Sequence, residues 1–171
     1  MQAVNKKWIK LTTEILLFSA VLYIGYSIYN QYIFQKYIQE KTEIPQFSFK
    51  TANGDVFTNQ SLDPSKDFYV FVWFSPTCGS CQELLKIITA SPHNNIQYML
   101  VAKTISKDFF EIYANKHYQF FTTSRDEFLN SFGQLSTPSI FIYNKKQKLI
   151  AKLSSIVEYA DWLQKNNSPA K

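Results

Sequence analysis

The feature that most constrains this chain is a run of β-type residues that leads directly into a pair of cysteines. Residues 69–77 read YVFVWFSPT, and Cys78, Gly79, Ser80 and Cys81 follow. The next residues have the apolar spacing of a helix. A thiol at the start of a helix is stabilised as the thiolate, because the helix N-terminus is the positive end of its dipole. The pattern therefore predicts two thiols, separated by two residues, at the start of a helix that follows a buried strand, which is an arrangement suited to thiol–disulfide exchange.

Two other uses of the cysteine pair must be weighed. A structural zinc site needs four ligands, and the only histidines, His93 and His117, are not at ligand spacing to each other or to the cysteines. A purely structural disulfide across so short a loop would remove little chain entropy. Both alternatives are therefore less favoured than a redox-active pair, and no metal ligand is expected at Cys78 or Cys81.

Length and composition leave room for one packed domain and an appendage. Of the 171 residues, 46% are hydrophobic and 17% are aromatic, which is ample for a core. The net charge is +5, but most lysines are scattered among acids, the short cluster of Lys145, Lys146 and Lys148 lies in an expected hairpin turn, and Arg125 is the only arginine. A nucleic-acid surface would need a continuous basic stripe. No nucleic-acid partner is therefore expected.

The N-terminal part of the chain has the pattern of a membrane anchor. Residues 1–10 are polar and contain three lysines, whereas residues 11–34 are strongly apolar. Twenty helical residues at 15–34 would rise about 30 Å, which is the thickness of the hydrocarbon core. A cleavable signal peptide is the alternative, but no small-x-small site follows the apolar run. We expect an uncleaved transmembrane helix at 11–34, preceded by a short cytoplasmic segment at 1–10.

The distribution of lysines predicts the orientation of this span. Three lysines and the amino terminus precede it, whereas Lys36 and Lys41 after it are interleaved with Glu40 and Glu43. The positive-inside rule then places the following domain outside the cytoplasm, which in a bacterium would be the periplasmic side. Disulfides persist in that compartment, so a partner must supply or remove the electrons of the thiol pair.

Residues 44–166 are expected to form one α/β domain, with a polar linker at 35–43 and a flexible tail at 167–171. An Asn53-Gly54 turn indicates an N-terminal β-hairpin. The apolar spacing and the turns further along give the order ββ, βα, βα, βα, ββα, which predicts one sheet covered by helices. The expected helices lie at about 79–90, 107–116, 125–132 and 156–165.

Two of these helices begin with the sequence of a capping box. Ser124 is followed three residues later by Glu127, and Ser155 is followed in the same way by Glu158. Gly133 provides the residue that most often ends a helix. The cysteine pair would lie at the carboxyl end of a central strand, where α/β proteins place their functional sites.

Two motifs carry a family resemblance. Residues 73–81, WFSPTCGSC, follow a buried strand, and residues 136–142, STPSIFI, precede the closing hairpin. With them, the chain resembles the thioredoxin fold, and more narrowly the membrane-anchored thioredoxin-like proteins of the TlpA and ResA type found in bacteria. The resemblance covers about residues 44–165. It implies a central mixed sheet flanked by helices, with a β-hairpin at the start of the domain.

The resemblance also implies roles for individual residues. Cys78 would be the exposed nucleophile and Cys81 the buried resolving thiol, so that the redox-active disulfide Cys78–Cys81 would take the place of a cofactor. Pro138 would be a cis-proline beside them, although an X-Pro bond is trans by default. Thr137 would offer backbone hydrogen bonds to an extended client segment. The remaining client-binding candidates precede the cysteine pair: Pro76 and Thr77.

The chain departs from the family pattern at several positions. Val72 lies six residues before the first cysteine, where a buried acid or amide often transfers protons, and Thr77 lies where a tryptophan is common. The dipeptide Gly79-Ser80 replaces the Gly-Pro and Pro-Pro versions familiar in the family. Glu83 is the nearest counterpart of an acid after the second cysteine, but it is in a different register and is interpreted as a residue of the helix surface. No general base for the resolving thiol is identified.

The function that the resemblance implies is that of a membrane-tethered, extracytoplasmic thiol–disulfide oxidoreductase. Its partners would be cysteine-containing exported client proteins and an upstream electron donor, and the resemblance favours reduction of client disulfides. Two other classes stay open. One is a carrier of a soft metal ion such as Cu(I), held by the same cysteine pair. The other is a redox-silent interaction domain on the same scaffold.

Overall fold

The computed structural model describes residues 2–39, 42–90, 93–113, 118–133 and 136–166. The first forty residues and the remainder of the chain form two compact units. The expected tail at 167–171 lies outside the described residues, as do His117 and the last turn of the helix expected to end at residue 116.

The first unit is a single helix, α1 (Gln2–Gln39). Within it, Leu11–Asn30 is long and apolar enough to cross a membrane, with a mean hydropathy of 1.6. The large apolar side chains of this segment are exposed, and that of Phe18 is 68% exposed. The prediction of one N-terminal apolar helix of membrane-spanning length is confirmed. The polar residues that flank the span on both sides are also helical.

The second unit contains a seven-stranded mixed sheet within its described residues. Its strands are β1 (Ser48–Thr51), β2 (Val56–Thr58), β3 (Phe68–Trp73), β4 (Ile96–Ala102), β5 (Tyr118–Thr122), β6 (Ser139–Asn144) and β7 (Leu149–Leu153). Their order across the sheet is β2-β1-β5-β4-β3-β6-β7. Strands β3, β4 and β5 are parallel, and the pairs that involve β1, β2, β6 or β7 are antiparallel. The predicted mixed sheet with an N-terminal hairpin is confirmed.

Four further helices and one short 3₁₀ turn complete this unit within its described residues. They are the turn at Asn59–Ser61 and the helices α2 (Gly79–Ala90), α3 (Lys107–Tyr113), α4 (Arg125–Phe132) and α5 (Ile156–Asn166). Helix α5 has the complete predicted capping box, because Ser155 accepts from the Glu158 N–H and the Glu158 carboxylate accepts from the Ser155 N–H. Helix α4 ends as predicted at Gly133, whose φ of 79° is left-handed.

The capping box predicted for α4 is only half formed. Ser124 accepts a hydrogen bond from the Glu127 N–H at 3.1 Å. The Glu127 carboxylate instead accepts from the Thr123 hydroxyl at 2.7 Å. Thr123 itself is buried. A buried hydroxyl needs a hydrogen-bond partner, and here it takes the carboxylate that the sequence pattern assigns to the cap.

The central strand β3 is buried on both faces, as its unbroken apolar run predicts. Alternate residues of this strand belong to two hydrophobic clusters, one on each face of the sheet. Helix α2 packs on the first face through four buried side chains: Cys81, Leu84, Leu85 and Ile88. Each such aliphatic side chain contributes about 1.5 to 3 kcal/mol when it is fully buried. The helix that carries Cys81 is therefore held firmly on the sheet.

The register between β3 and β6 determines which loops meet at the carboxyl edge of the sheet. These strands are antiparallel, and Trp73, the last residue of β3, lies opposite Ser139, the first residue of β6. The chain that leaves β3 toward Cys78 therefore starts beside the chain that enters β6 from Thr137 and Pro138. Residues 59 positions apart in sequence, Cys78 and Thr137, become neighbours in this way.

Candidate active site

The loop between β3 and α2 is fixed by hydrogen bonds at both ends. The Phe74 N–H continues the strand pairing by donating to the Val101 carbonyl at 3.0 Å. The Cys78 N–H donates to the Ser75 carbonyl at 3.1 Å, which closes a turn. The side-chain amide of Gln82 donates to the Pro76 carbonyl at 2.8 Å and so ties the loop to α2. The position of Cys78 at the start of the helix is therefore well defined.

The Cys78 sulfur is half-buried and lies among hydrogen-bond donors. The Cys81 N–H donates to it at 3.3 Å. The Ser80 hydroxyl oxygen lies 3.1 Å from it. Cys78 directly precedes the first residue of α2, so the positive end of the helix dipole also faces this sulfur. All of these groups favour a negative charge on Cys78.

The net effect of this environment lowers the pKa of Cys78. Burial raises the pKa of a thiol, because it penalises the charged form, and for Cys78 it is the largest single influence. Hydrogen bonds from Cys81 and Ser80 stabilise the thiolate, and together they outweigh the burial. The pKa of Cys78 therefore lies below its ordinary value, as is typical of reactive cysteines.

Cys81 has the opposite character. Its side chain is 0% exposed and belongs to the hydrophobic cluster under α2. Burial, followed by the hydrogen bond with Cys78, raises the pKa of Cys81 to about 12. The two cysteines lie 2.8 Å apart at their closest approach. The structure therefore places a thiol that stays protonated at neutral pH next to a thiol whose pKa is lowered.

The loop that enters β6 forms the other wall of the site. The Thr137-Pro138 peptide bond is cis, as the family resemblance implies. The Thr137 carbonyl oxygen lies 3.9 Å from the Cys78 sulfur, and Thr137 is exposed whereas Pro138 is buried. The loop is braced from inside, because the Ser139 hydroxyl donates to the Ser136 carbonyl at 2.5 Å.

The structure brings the predicted site residues together around Cys78. Pro76 is half-buried and Thr77 is exposed in the loop just before it. Val72, in place of a buried acid, is fully buried in the same cluster as Cys81. Glu83 is exposed on α2, in agreement with its interpretation as a surface residue. Two residues of this site, Gln82 and Ser139, were not singled out from the sequence, and Ser80 was noted only as part of the Gly79-Ser80 dipeptide.

His93 lies away from this site. It precedes β4 and is therefore at the amino end of the parallel strands, whereas Cys78 follows their carboxyl end. Burial lowers the pKa of His93. Within the described residues, no group of three or more His, Cys, Asp or Glu side chains is placed to hold a metal ion.

No protein-family model matches this sequence, and no curated protein matches it either. Solved structures do match. A thioredoxin-like protein from Bacteroides caccae has a TM-score of 0.61 at 12% identity, with 81% of this chain covered and 53% of that chain. The present chain thus spans about half the length of that protein.

Two further solved structures are described by thiol–disulfide chemistry. A domain of a "possible thiol-disulfide isomerase" from Cytophaga hutchinsonii has a TM-score of 0.57 at 15% identity, with coverage of 72% of this chain and 90% of that chain. A thiol:disulfide interchange protein of the thioredoxin family from Chlorobium tepidum has a TM-score of 0.56 at 14% identity, with coverage of 72% and 94%. Likeness at these identities establishes the fold, so the second unit has the thioredoxin-like fold.

Proposed function

We propose that this chain, whose second unit has the thioredoxin-like fold, is a membrane-tethered thiol–disulfide oxidoreductase that acts through Cys78 and Cys81. The observation that carries the proposal is the asymmetry of the two thiols. Cys78 is partly exposed and favoured as the thiolate, whereas Cys81 is buried with a pKa of about 12 and lies 2.8 Å away. A two-step exchange requires such a pair, in which one thiol reacts first and the other is protected until needed.

In the first step, the Cys78 thiolate attacks one sulfur of a client disulfide. A bond forms between the Cys78 sulfur and that client sulfur, the client disulfide breaks, and the other client sulfur leaves as a thiolate that takes a proton from water. Thr137 and Pro138 lie beside the attacking sulfur, and Pro76 and Thr77 precede it. We assign these four residues to the surface that receives an extended client segment.

In the second step, Cys81 loses its proton and attacks the Cys78 sulfur. The mixed disulfide breaks, the remaining client sulfur leaves as a thiolate and takes up the proton that Cys81 released, and a Cys78–Cys81 disulfide is left behind. Two electrons have then passed from the enzyme to the client, so the sulfur pair carries the electrons and takes the place of a cofactor. An upstream dithiol donor would restore the reduced pair by the reverse exchange. The direction that we propose is reduction of client disulfides.

The proposed location outside the cytoplasm rests on α1 and on the charges around it. Leu11–Asn30 supports a single-pass membrane anchor by its length and hydropathy. The three lysines before the span support an orientation with residues 44 onward on the extracytoplasmic side. Cysteine-containing exported proteins are the clients available there. Together with the motifs at 73–81 and 136–142, this favours placement among the TlpA- and ResA-like proteins.

Single cysteine variants of the full chain in detergent test the proposal. The probe is a synthetic peptide with one internal disulfide, and the readout is the mass of each species. Reduced wild-type protein should convert the peptide to its dithiol and gain a Cys78–Cys81 disulfide. Cys81→Ser should stop at a mixed disulfide on Cys78. The matched control Cys78→Ser should yield neither product.

Three outcomes would contradict the proposal. If the wild-type protein neither reduced the peptide disulfide nor oxidised peptide thiols, the domain would be redox-silent. Stoichiometric Cu(I) binding without exchange would indicate a soft-metal carrier on the same pair. Mixed disulfides on Cys81 in place of Cys78 would reverse the roles that are assigned to the two thiols.

A further inference from the structure

The turn between β6 and β7 presents three lysines together. Lys145, Lys146 and Lys148 are all exposed. The turn is closed by hydrogen bonds between its ends, because the Asn144 N–H donates to the Lys148 carbonyl at 2.9 Å and the Lys148 N–H donates to the Asn144 side-chain carbonyl at 3.0 Å. A third bond, from the Gln147 N–H to the Asn144 carbonyl at 2.8 Å, lies inside it. The backbone that carries these lysines is therefore well defined.

The positive charge of this turn is not balanced by nearby acids. Residues 42–166 contain 12 basic and 11 acidic side chains, so this part of the chain is nearly neutral as a whole. Residues 128–157, in contrast, contain four lysines and no acid. Lys148 pairs with Glu43, but Lys145 and Lys146 form no ion pair in the part of the chain that the structure describes. The turn therefore carries positive charge that the chain itself leaves uncompensated.

An exposed apolar side chain lies next to this turn. Strand β7 is an edge strand, and Leu149 and Ala151 have partners in β6 whereas Ile150 between them has none. Such a bulge can turn a side chain toward a new direction. The Ile150 side chain is 45% exposed. Lysines beside an exposed aliphatic group suit the surface of an anionic bilayer, where headgroups attract the charges and the apolar group enters the acyl boundary.

The segment that follows the membrane anchor pairs with this same turn. The Ile44 N–H donates to the Gln147 carbonyl at 3.0 Å, and the Leu149 N–H donates to the Thr42 carbonyl at 2.7 Å. Thr42 comes only 12 residues after Asn30, the last residue of the apolar span, and nine of these residues are helical. A connection of this kind reaches about 25 Å at most. The turn is thus within reach of the bilayer surface in any arrangement of the two units.

The turn lies at the edge of the sheet opposite to Cys78. Asn144, the last residue of β6, pairs with Phe68, the first residue of β3, whereas Cys78 follows the far end of β3. The six residues of β3 span about 17 Å. Contact between the turn and a bilayer would therefore leave the Cys78 edge of the sheet facing away from the membrane.

We propose that the turn between β6 and β7, through Lys145, Lys146 and Lys148 with Ile150 beside them, binds anionic phospholipid headgroups of the bilayer that holds α1. The lysine ammonium groups contact the headgroup phosphates, and the Ile150 side chain contacts the acyl boundary. This docking holds the domain by one edge and leaves Cys78 accessible at the other. It depends on the proposed membrane anchor and is independent of thiol exchange, so it goes beyond the reaction proposed above.

The test measures lysine reactivity in the full chain inserted into lipid nanodiscs. One set of discs contains phosphatidylcholine alone, and the other also contains anionic phosphatidylglycerol. Brief acetylation, digestion and mass spectrometry give the modification rate of each lysine. A lysine close to an anionic surface contributes about fivefold to binding. The three turn lysines should therefore react at least about fivefold more slowly in the anionic discs, whereas Lys103, which is exposed at the Cys78 edge, should react equally in both.

Two matched double variants separate the turn from the net charge of the chain. Lys145→Gln with Lys146→Gln should abolish the slowing at Lys148. Lys50→Gln with Lys103→Gln removes the same charge at the opposite edge and should leave that slowing intact. All four substituted side chains are exposed, so both variants should fold. Added salt should weaken the slowing in the wild-type chain, because salt screens exposed charges.

Four outcomes would overturn the inference. Equal reactivity of the turn lysines in both kinds of disc would exclude a headgroup contact. Slowing of Lys103 by the same factor would assign the effect to the whole domain. Slowing that persists in the turn variant, or that is lost in the control variant as well, would remove the role of Lys145 and Lys146. Failure of the wild-type chain to enter either disc would overturn the membrane anchor and this inference with it, and would leave thiol exchange standing.

Discussion

Alkylation of the reduced protein should modify Cys78 far faster than Cys81, and the structure gives the size of the difference. A thiol with a pKa of about 12 is about one ten-thousandth ionised at pH 8, because each pH unit below the pKa changes the ionised fraction tenfold. A thiol at the ordinary value of 9.0 would be about one tenth ionised at that pH, and the pKa of Cys78 lies below 9.0. Since the thiolate is the reacting form, ionisation alone favours Cys78 by about a thousandfold, and the higher intrinsic nucleophilicity of the more basic Cys81 thiolate reduces this advantage to about thirty- to sixtyfold.

The two thiols should also respond differently to pH. The modification rate of Cys78 should stop rising tenfold per pH unit once the pH passes its pKa, which lies below 9.0. The rate of Cys81 should continue to rise about tenfold per pH unit up to its pKa of about 12, for as long as the domain stays folded. Burial of Cys81 at 0% exposure should slow its reaction further.

The assay is brief exposure of the reduced full chain to iodoacetamide between pH 6 and pH 10, followed by digestion and mass spectrometry of the cysteine peptide. Cys81→Ser serves as the control for labelling of Cys78 alone. Equal rates for the two thiols at pH 8, or faster modification of Cys81, would refute the assignment of Cys78 as the nucleophile. So would a Cys78 rate that still rises tenfold per unit above pH 9.

Two further predictions concern stability and topology. Tyr98→Phe removes the buried 2.8 Å hydrogen bond between the Tyr98 and Tyr159 hydroxyls, so the free energy of unfolding in urea should fall by about 1 to 3 kcal/mol. The double variant Tyr98→Phe with Tyr159→Phe should be more stable than the single one, and a double variant at or below it would contradict the reasoning. A reporter active only outside the cytoplasm should function when fused after Lys171, whereas activity of a cytoplasm-only reporter there would reverse the proposed orientation.

Local patterns in the sequence were sufficient to predict most of the fold. The unbroken apolar run of β3 predicts a strand buried on both faces, and it is one. The Asn53-Gly54 turn predicts a hairpin, and Gly54 has the left-handed φ of 88° that such a turn needs. These features depend on a residue and its neighbours in sequence. The capping role predicted for the Glu127 side chain was wrong because it depends on tertiary packing. Its partner Thr123 is buried by contacts that no local pattern reveals.

The candidate site could be predicted only in part for the same reason. The cysteine pair and its position at the start of a helix follow from the sequence itself. Its proximity to Thr137 depends on the pairing of Trp73 with Ser139, which is a contact between distant strands, and the expectation came from the family resemblance alone. The contact between Ser80 and Cys78 depends on side-chain conformations at the helix start. Residue spacing carries no information on which rotamer a serine adopts.

Because Gly79 and Ser80 are exposed, a substitution at either position can change the surroundings of the Cys78 sulfur with little effect on the stability of the fold. Substitutions at exposed positions usually change the free energy of unfolding by no more than about 0.5 kcal/mol. Loss of a buried side chain such as Leu85, in contrast, costs about 2 to 5 kcal/mol. Substitutions in the Gly79-Ser80 dipeptide can therefore change the surroundings of the Cys78 sulfur while the packing of α2 on the sheet stays intact.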